Sequence, residues 1–185
     1  ALYHLFQAFV RWMAPILSFT AQEAWPLIPG QTEKYVFTSE WYDIPVASTA
    51  NLISEADWQT MIAVKSAVNK QIEAARNAKL IGSNLSAKVE LWANPELKAV
   101  LDRLGDELRF VLITSTVIVN TADETQGETT DLDGLRVKVS AADGEKCARC
   151  WHVLPDVNTH LAHPGLCSRC IINLPTGQGE ERKYA

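Results

Sequence analysis

The sequence predicts a mainly α-helical chain with a small α+β unit and a C-terminal module organised by four cysteines. Three observations predict it. Apolar residues recur every three or four positions in two stretches of the first eighty residues, 2–20 and 61–75, which is helical periodicity. Between residues 87 and 139 this gives way to alternation, which is strand periodicity. All four cysteines lie between Cys147 and Cys170. The expected divisions are 1–82 (helical), 83–140 (α+β) and 141–185 (cysteine module).

The opening helix carries Leu2, Phe6, Phe9, Met13, Ile16 and Thr20 on one stripe, which is expected to be core. Pro15 is expected to bend the helix without ending it, because the apolar period resumes beyond it. Trp25-Pro26 and Pro29-Gly30 end it. Residues 30–54 have no period and carry Pro45, Ser48, Thr49 and Asn51, so they read as a loop. Val36-Phe37 and Trp41-Tyr42 would tack that loop to the body. A second helix is expected over 55–80. Ser54 is its N-cap, and Glu55 and Asp57 complement its dipole. Met61, Val64, Val68, Ile72 and Ala75 form its buried stripe. Lys65, Lys70, Arg76 and Lys79 fall mainly elsewhere on the helix, either as a solvated face or as phosphate contacts.

In the α+β unit, Ala87, Val89 and Leu91 alternate with Lys88 and Glu90, a strand. Asn94-Pro95-Glu96 combines an N-cap, a first-turn proline and a dipole-favoured acid, so 95–104 reads as a helix. Phe110–Val119 is apolar and rich in β-branched residues, which predicts a buried strand. Leu135, Val137 and Val139 alternate with Arg136 and Lys138, another strand. Residues 120–134 carry five acids and no base and read as a solubilising connection.

Charge and composition narrow the function. The 185 residues carry 17 Lys+Arg against 22 Asp+Glu, a net charge of −5. Nucleic-acid binding by bulk charge is excluded, and any such role needs a local patch. Residues 141–185 hold five basic and five acidic side chains, so the acidic excess precedes them. Hydrophobic residues make up 47%, which excludes a disordered chain. No apolar run reaches membrane-spanning length, so no membrane partner is expected. No signal peptide is recognisable and the cysteines are clustered, so a reducing, cytoplasmic setting is expected. The chain opens at Ala1 inside a helical pattern, which suggests a C-terminal piece of something longer.

The chemistry is concentrated in Cys147-Ala-Arg-Cys150, sixteen further residues, and Cys167-Ser-Arg-Cys170. Two C-x-x-C turns at this spacing match a four-thiolate zinc site. Each turn brings two sulfurs towards one ion and aims backbone N–H groups at them. Four thiolates leave no position for water, so the zinc would be structural. His152, His160 and His163 lie between the pairs and raise a mixed ligand set, but four cysteines already satisfy the ion. A redox C-x-x-C normally occurs once and opens a helix in a strand-rich domain. Val153, Leu154, Leu161, Leu166, Ile171, Ile172 and Leu174 are too few to hold the module together, so the metal would supply its stability. Arg149, Trp151, Arg169, Arg182 and Lys183 surround the motif. Trp151 could stack on an RNA base while the cations meet phosphate, or it could plug the module's core. No Gly-rich phosphate loop, no H-E-x-x-H and no nucleophile with a His and an Asp is present, so this chain alone is expected to be non-catalytic.

Several of these segments resemble a known family. APILSFTAQEAW (14–25) resembles a helix of the anticodon-binding domain in class I aminoacyl-tRNA synthetases of the isoleucine, valine and leucine group. VNKQIEAARNAKLIGSNLSAKVEL (68–91) is similar to the next helix and strand of bacterial isoleucyl-tRNA synthetases. GEKCARCWHV (144–153), LCSRCIINL (166–174) and GEERKYA (179–185) resemble the zinc module and last residues of that family. The acidic stretch 120–135 matches nothing. The resemblance implies the end of a helical anticodon-binding domain, a small connection and a four-cysteine zinc ribbon or knuckle with Cys147, Cys150, Cys167 and Cys170 as ligands. It implies a monomer that holds the anticodon stem-loop of an isoleucine-accepting tRNA. ATP, Mg and the ligation chemistry would belong to a catalytic domain upstream, so the remainder of the synthetase is a partner. A similar C-x2-C-x16-C-x2-C finger ends the formamidopyrimidine-type DNA glycosylases. That family's catalytic N-terminal Pro-Glu is missing here, and residues 1–140 do not resemble its domains. A purely structural zinc module is the other alternative.

Overall fold

The computed structural model describes residues 2–45 and 53–184. The chain divides between residues 51 and 52 into two compact units.

The first unit holds α1 (Leu2–Met13), α2 (Ser18–Ala24) and two single 3-10 turns, Trp25–Leu27 and Val36–Thr38. Pro15 separates α1 from α2, where the sequence predicts only a bend. A proline has no N–H to donate and disfavours the helical region for the residue before it. The Ile16 and Leu17 N–H groups both turn back to the Met13 carbonyl. The expected stripe lies on the wrong side of the helices: Leu2 is 82% exposed, Ile16 74%, and Phe6, Phe9 and Thr20 are exposed as well. Small and polar residues face inward instead. Val10, Ala14, Ala21, Trp25, Ile28 and Val36 form the core. Gln7 is buried because its amide bonds Tyr3 Oη at 2.7 Å and accepts from Arg11 and Gln31. Trp25 Nε1 donates to the Glu33 carbonyl at 2.8 Å. The period is right and the face is wrong, because periodicity fixes spacing but not which neighbour covers which side. Of the loop's tacking residues, Val36 is buried and Tyr42 Oη bonds His4 Nδ1 at 2.6 Å, while Phe37 and Trp41 are exposed. Ser48, Thr49 and Asn51 lie outside the described residues.

The second unit is built on α3 (Glu55–Asn77), which starts where the Ser54 hydroxyl accepts the Asp57 N–H. Met61, Val64, Val68, Ile72 and Ala75 are all buried, as expected. They pack with β1 (Ala87–Ala93), α4 (Pro95–Asp102), α5 (Leu108–Leu112), β2 (Thr116–Thr121) and β4 (Leu135–Ala141), and an exposed β3 (Glu128–Thr129) pairs with β4. The sheet order is β2-β1-β4-β3. β1 runs parallel to β2, with α4 and α5 in the crossover, and antiparallel to β4. Ala87, Val89, Leu91 and Ala93 alternate into a core that α3 shares.

Two expectations change here. The predicted strand 110–119 begins as helix: Leu108 and Leu112 bury one face of α5, and Ile113 ends it in the left-handed region at φ 58°. Burial of a one-turn pair outweighs β propensity at these positions. The acidic stretch 120–134 is more than a connection. Its Glu128–Thr129 forms edge strand β3 on β4, and Asp131 pairs with Lys70.

Beyond Ala141 lie β5 (Glu145–Lys146), β6 (Val153–Leu154) and α6 (Ser168–Ile172). No described helix is long and apolar enough to cross a membrane.

Candidate metal centre and the surface around it

The first cysteine turn joins β5 to β6. The Cys147 N–H donates to the His152 carbonyl at 2.9 Å, and the Trp151 N–H to the Cys147 carbonyl at 3.0 Å. The second pair is carried by α6, with Cys167 at its N-cap and Cys170 one turn in. Asp156 Oδ2 accepts the Ser168 N–H at 2.7 Å and fixes the start of that helix. Local sequence thus sets two short knuckles, and tertiary packing brings them together.

The four Sγ atoms lie within 4.8 Å of one another, and Cys150 Sγ is 3.7 Å from Cys167 Sγ. A tetrahedron with about 2.3 Å Zn–S bonds has edges of about 3.8 Å, so the spacing fits the ion. Cys147, Cys167 and Cys170 are buried and Cys150 is half-buried. Burial raises the thiol pKa of Cys150 and Cys167. Burial also acts upward on Cys147, but N–H donors of Cys150, Cys167 and Arg149 bring it down to about 6. Four neighbouring sulfurs cannot all ionise against one another without a cation between them, which is the chemistry a divalent soft-tolerant ion supplies. Among the described residues none of the three histidines joins this cluster. His152 is buried, with Nδ1 3.3 Å from the Cys150 carbonyl and its ring edge-on to Phe110. Burial lowers its pKa, and Arg109 and Arg169 add to that. His160 Nε2 bonds Ser168 Oγ at 3.0 Å. His163 gives its backbone N–H to the His160 carbonyl.

Trp151 follows a cysteine directly and is 61% exposed, so it does not plug the core. Its backbone sits in the left-handed region at φ 67°, and Lys146 Nζ lies 5.5 Å from its ring centroid. Arg149 is exposed on the same turn. Arg169 and Arg182 behave differently. Both bond Glu180, at 2.7 and 2.6 Å, and both lie over the Phe110 ring. Lys183 has an exposed side chain and gives its backbone N–H to Glu107 at 2.7 Å. On α3, Lys65 is half-buried, and Arg76 is tied to Glu73 and Asn84. Lys79 sits just past the helix end at φ 58°. Lys65, Arg76 and Lys79 belong to α3 and the residues just past it, while Arg149, Arg169, Arg182 and Lys183 lie in the cysteine module and the segment after it. Sequence reasoning misses Glu180: an acid in GEERK has no visible partner until α6 folds back beside it.

The sequence comparisons bear on this arrangement. Residues 1–91 match the anticodon-binding domain of tRNA ligase, and residues 144–172 match the zinc finger found in FPG and IleRS. The first match runs through β1 and so crosses the division between the two compact units. The whole chain is 80% identical to part of the isoleucine–tRNA ligase of Acinetobacter baylyi, covering 19% of that protein. It is 49% identical to the corresponding enzyme of Saccharophagus degradans and 48% to that of Pseudoalteromonas translucida, covering 20% of each. The chain therefore spans about a fifth of the length of these relatives. The two family matches follow one another along the chain, the anticodon-binding-domain match first and the zinc-finger match second.

Proposed function

We propose that a chain with these two modules is the tRNA-holding end of an isoleucine–tRNA ligase, with one structural zinc on Cys147, Cys150, Cys167 and Cys170. The observation that carries this is similarity along the whole of this chain to about a fifth of the length of isoleucine–tRNA ligases, together with a four-sulfur cluster of zinc dimensions. The zinc fixes the two knuckles and takes no part in bond making. In this reading residues 1–82 end the anticodon-binding domain, 83–140 connect, and 141–185 form the zinc module. The ligase as a whole is a monomeric cytoplasmic enzyme. It joins isoleucine to its tRNA with ATP and Mg in the remainder of the chain. The exposed apolar face of α1 and α2, with Leu2, Phe9, Ile16 and Phe19, docks on that remainder.

The RNA contact centres on Trp151. The first cysteine turn carries it, its ring faces solvent with Lys146 nearby, and Arg149 is exposed on the same turn. An unstacked anticodon-loop base stacks there while the cations meet phosphate. Arg169, Arg182 and Lys183 extend this patch, and Lys65, Arg76 and Lys79 form a second, weaker one on α3. Replacing Trp151 with Ala is expected to cost about 1–3 kcal/mol of tRNA affinity, the worth of one stacked base. Zinc content should stay at one per chain and Trp151→Phe should keep much of the affinity. Full zinc with unchanged affinity removes the stacking role. A second reading, a support module without RNA contacts, is favoured by the ties of Arg169 and Arg182 to Glu180. It predicts that Arg149→Ala and Trp151→Ala both bind tRNA normally.

A further inference from the structure

The last residues of the chain do not trail from the module. After α6, Gly177 gives its N–H to the Leu174 carbonyl, and Gly179 to that of Ile172, so the chain reverses along its own helix. A Cβ at Gly177 would collide with the Ile172 carbonyl, so this reversal needs glycine. Asn173 holds the reversal from both sides, donating to the Arg169 carbonyl at 2.9 Å and accepting the Glu180 N–H at 3.1 Å.

Glu180 then pairs with Arg169 through one oxygen and with Arg182 through the other, and its side chain is only 17% exposed. The two guanidinium carbons lie 4.7 and 4.4 Å from the centroid of Phe110, a residue of α5 in the sheet-bearing body. Next, the carboxylate of Glu107 accepts the backbone N–H groups of Lys183 and Tyr184, one on each oxygen, at 2.7 and 2.6 Å. Tyr184 closes the run by packing against the main core. Residues 180–184 therefore touch the metal module at Arg169 and the body at Phe110 and Glu107. Arg169 lies in the turn between two of the four cysteines, so the direction of its side chain depends on how that turn is held.

We infer that residues 180–184 are a clasp that couples metal loading of the cysteine module to its docking on the α3–sheet body. The inference rests on the zinc reading above. Ordering of the α6 turn by the ion presents Arg169 to Glu180, and the paired arginines then cover Phe110. Because coupling is reciprocal, opening the clasp must loosen the metal by the same factor by which losing the metal opens the clasp. Nothing in the zinc assignment alone requires this, since four cysteines would hold the ion with the tail undocked.

The test uses the full-length ligase and three variants: Glu180→Gln, Glu107→Gln and a truncation after Gln178. Zinc per chain is measured first, followed by the rate of zinc transfer to a chromogenic chelator. Exchange of the Lys183 and Tyr184 amides is then compared with and without metal. Loss of one charge-assisted link is expected to speed zinc release roughly tenfold in each point variant, and more in the truncation. Metal removal should raise exchange at Lys183 and Tyr184 in the parent protein. Unchanged protection of α3 amides shows that the body of each variant is folded. Zinc present at one per chain, with release rates equal in all four proteins, overturns the clasp and leaves the zinc reading intact. Absence of zinc from the parent protein overturns both.

Discussion

The α3–sheet body and the cysteine module belong to one compact unit but are held by different physics. Among the described residues, eighteen buried apolar side chains, from Ile53 to Val137, form the body's core. Among the described residues, the module's buried apolar cluster is Cys147, Val157, Cys167 and Cys170, and three of these four are cysteines of the sulfur cluster. Apolar residues that could have filled the module do not: Leu161 is 98% exposed and Ile172 is 44% exposed. Each buried Leu or Val contributes about 1.5–3 kcal/mol, so the body needs no help. The module has almost no such contribution, and on the proposed zinc reading metal binding of about 10–16 kcal/mol would replace it. Two regions of one compact unit can thus differ in what would unfold them.

Removing the metal tests this contrast most severely. With chelator, or in Cys170→Ser, amides between residues 146 and 172 should lose protection while those of Val64–Ile72 and Val89–Leu91 keep theirs. Hydrogen exchange reads both at once. Collapse of α3 protection together with the module would show one cooperative unit instead of two differently stabilised regions.

Next in size is the converse experiment. Leu91→Ala opens a cavity in the central strand and should cost about 2–5 kcal/mol in denaturant melts. Zinc per chain should not change. A fall in zinc content would mean that the body supports the metal site directly.

A smaller effect is expected at the seam. Ser115 Oγ accepts the Val153 N–H at 2.7 Å and donates to the Leu85 carbonyl at 2.5 Å. Ser115→Ala removes both bonds from half-buried partners and should cost about 1 kcal/mol. Ser115→Thr should recover part of this. An Ala variant as stable as the parent would show that the seam contributes nothing.

The mildest perturbation is acid. Burial acts to raise the Glu180 carboxyl pKa, but its bonds to Arg169 and Arg182 more than offset this and hold it below the usual 4.5. A depressed folded value means the clasp contributes fully above the ordinary carboxylate range and fades as pH falls through the folded pKa. Carbon-detected NMR titration of Glu180 should show a midpoint below 4.5. A midpoint at or above that value would contradict the pairing.

Legibility follows the range of the forces involved. Ser54 and Asn94 are readable as caps because a cap joins residues three apart. The stripe of α3 and the strands β1 and β4 are readable from period alone. The opening helix is not, since spacing says nothing about which face the rest of the unit covers. Phe110–Val119 misleads because its composition suits a strand, while Leu108 and Leu112 need burial one helical turn apart.

The cysteine pairs, their spacing and hence the kind of ion they suit are written in the chain itself. Thiolate chemistry and a two-residue turn leave few alternatives. The family resemblance, α3 and the central strands are legible there too. Folding in three dimensions is what turns Trp151 to solvent, divides the first helix at Pro15, and converges Arg169 and Arg182 on Glu180. It also gives Glu107 the N–H groups of Lys183 and Tyr184, residues 76 and 77 positions away. Contacts across such separations depend on how the whole chain returns on itself, and no local pattern encodes them.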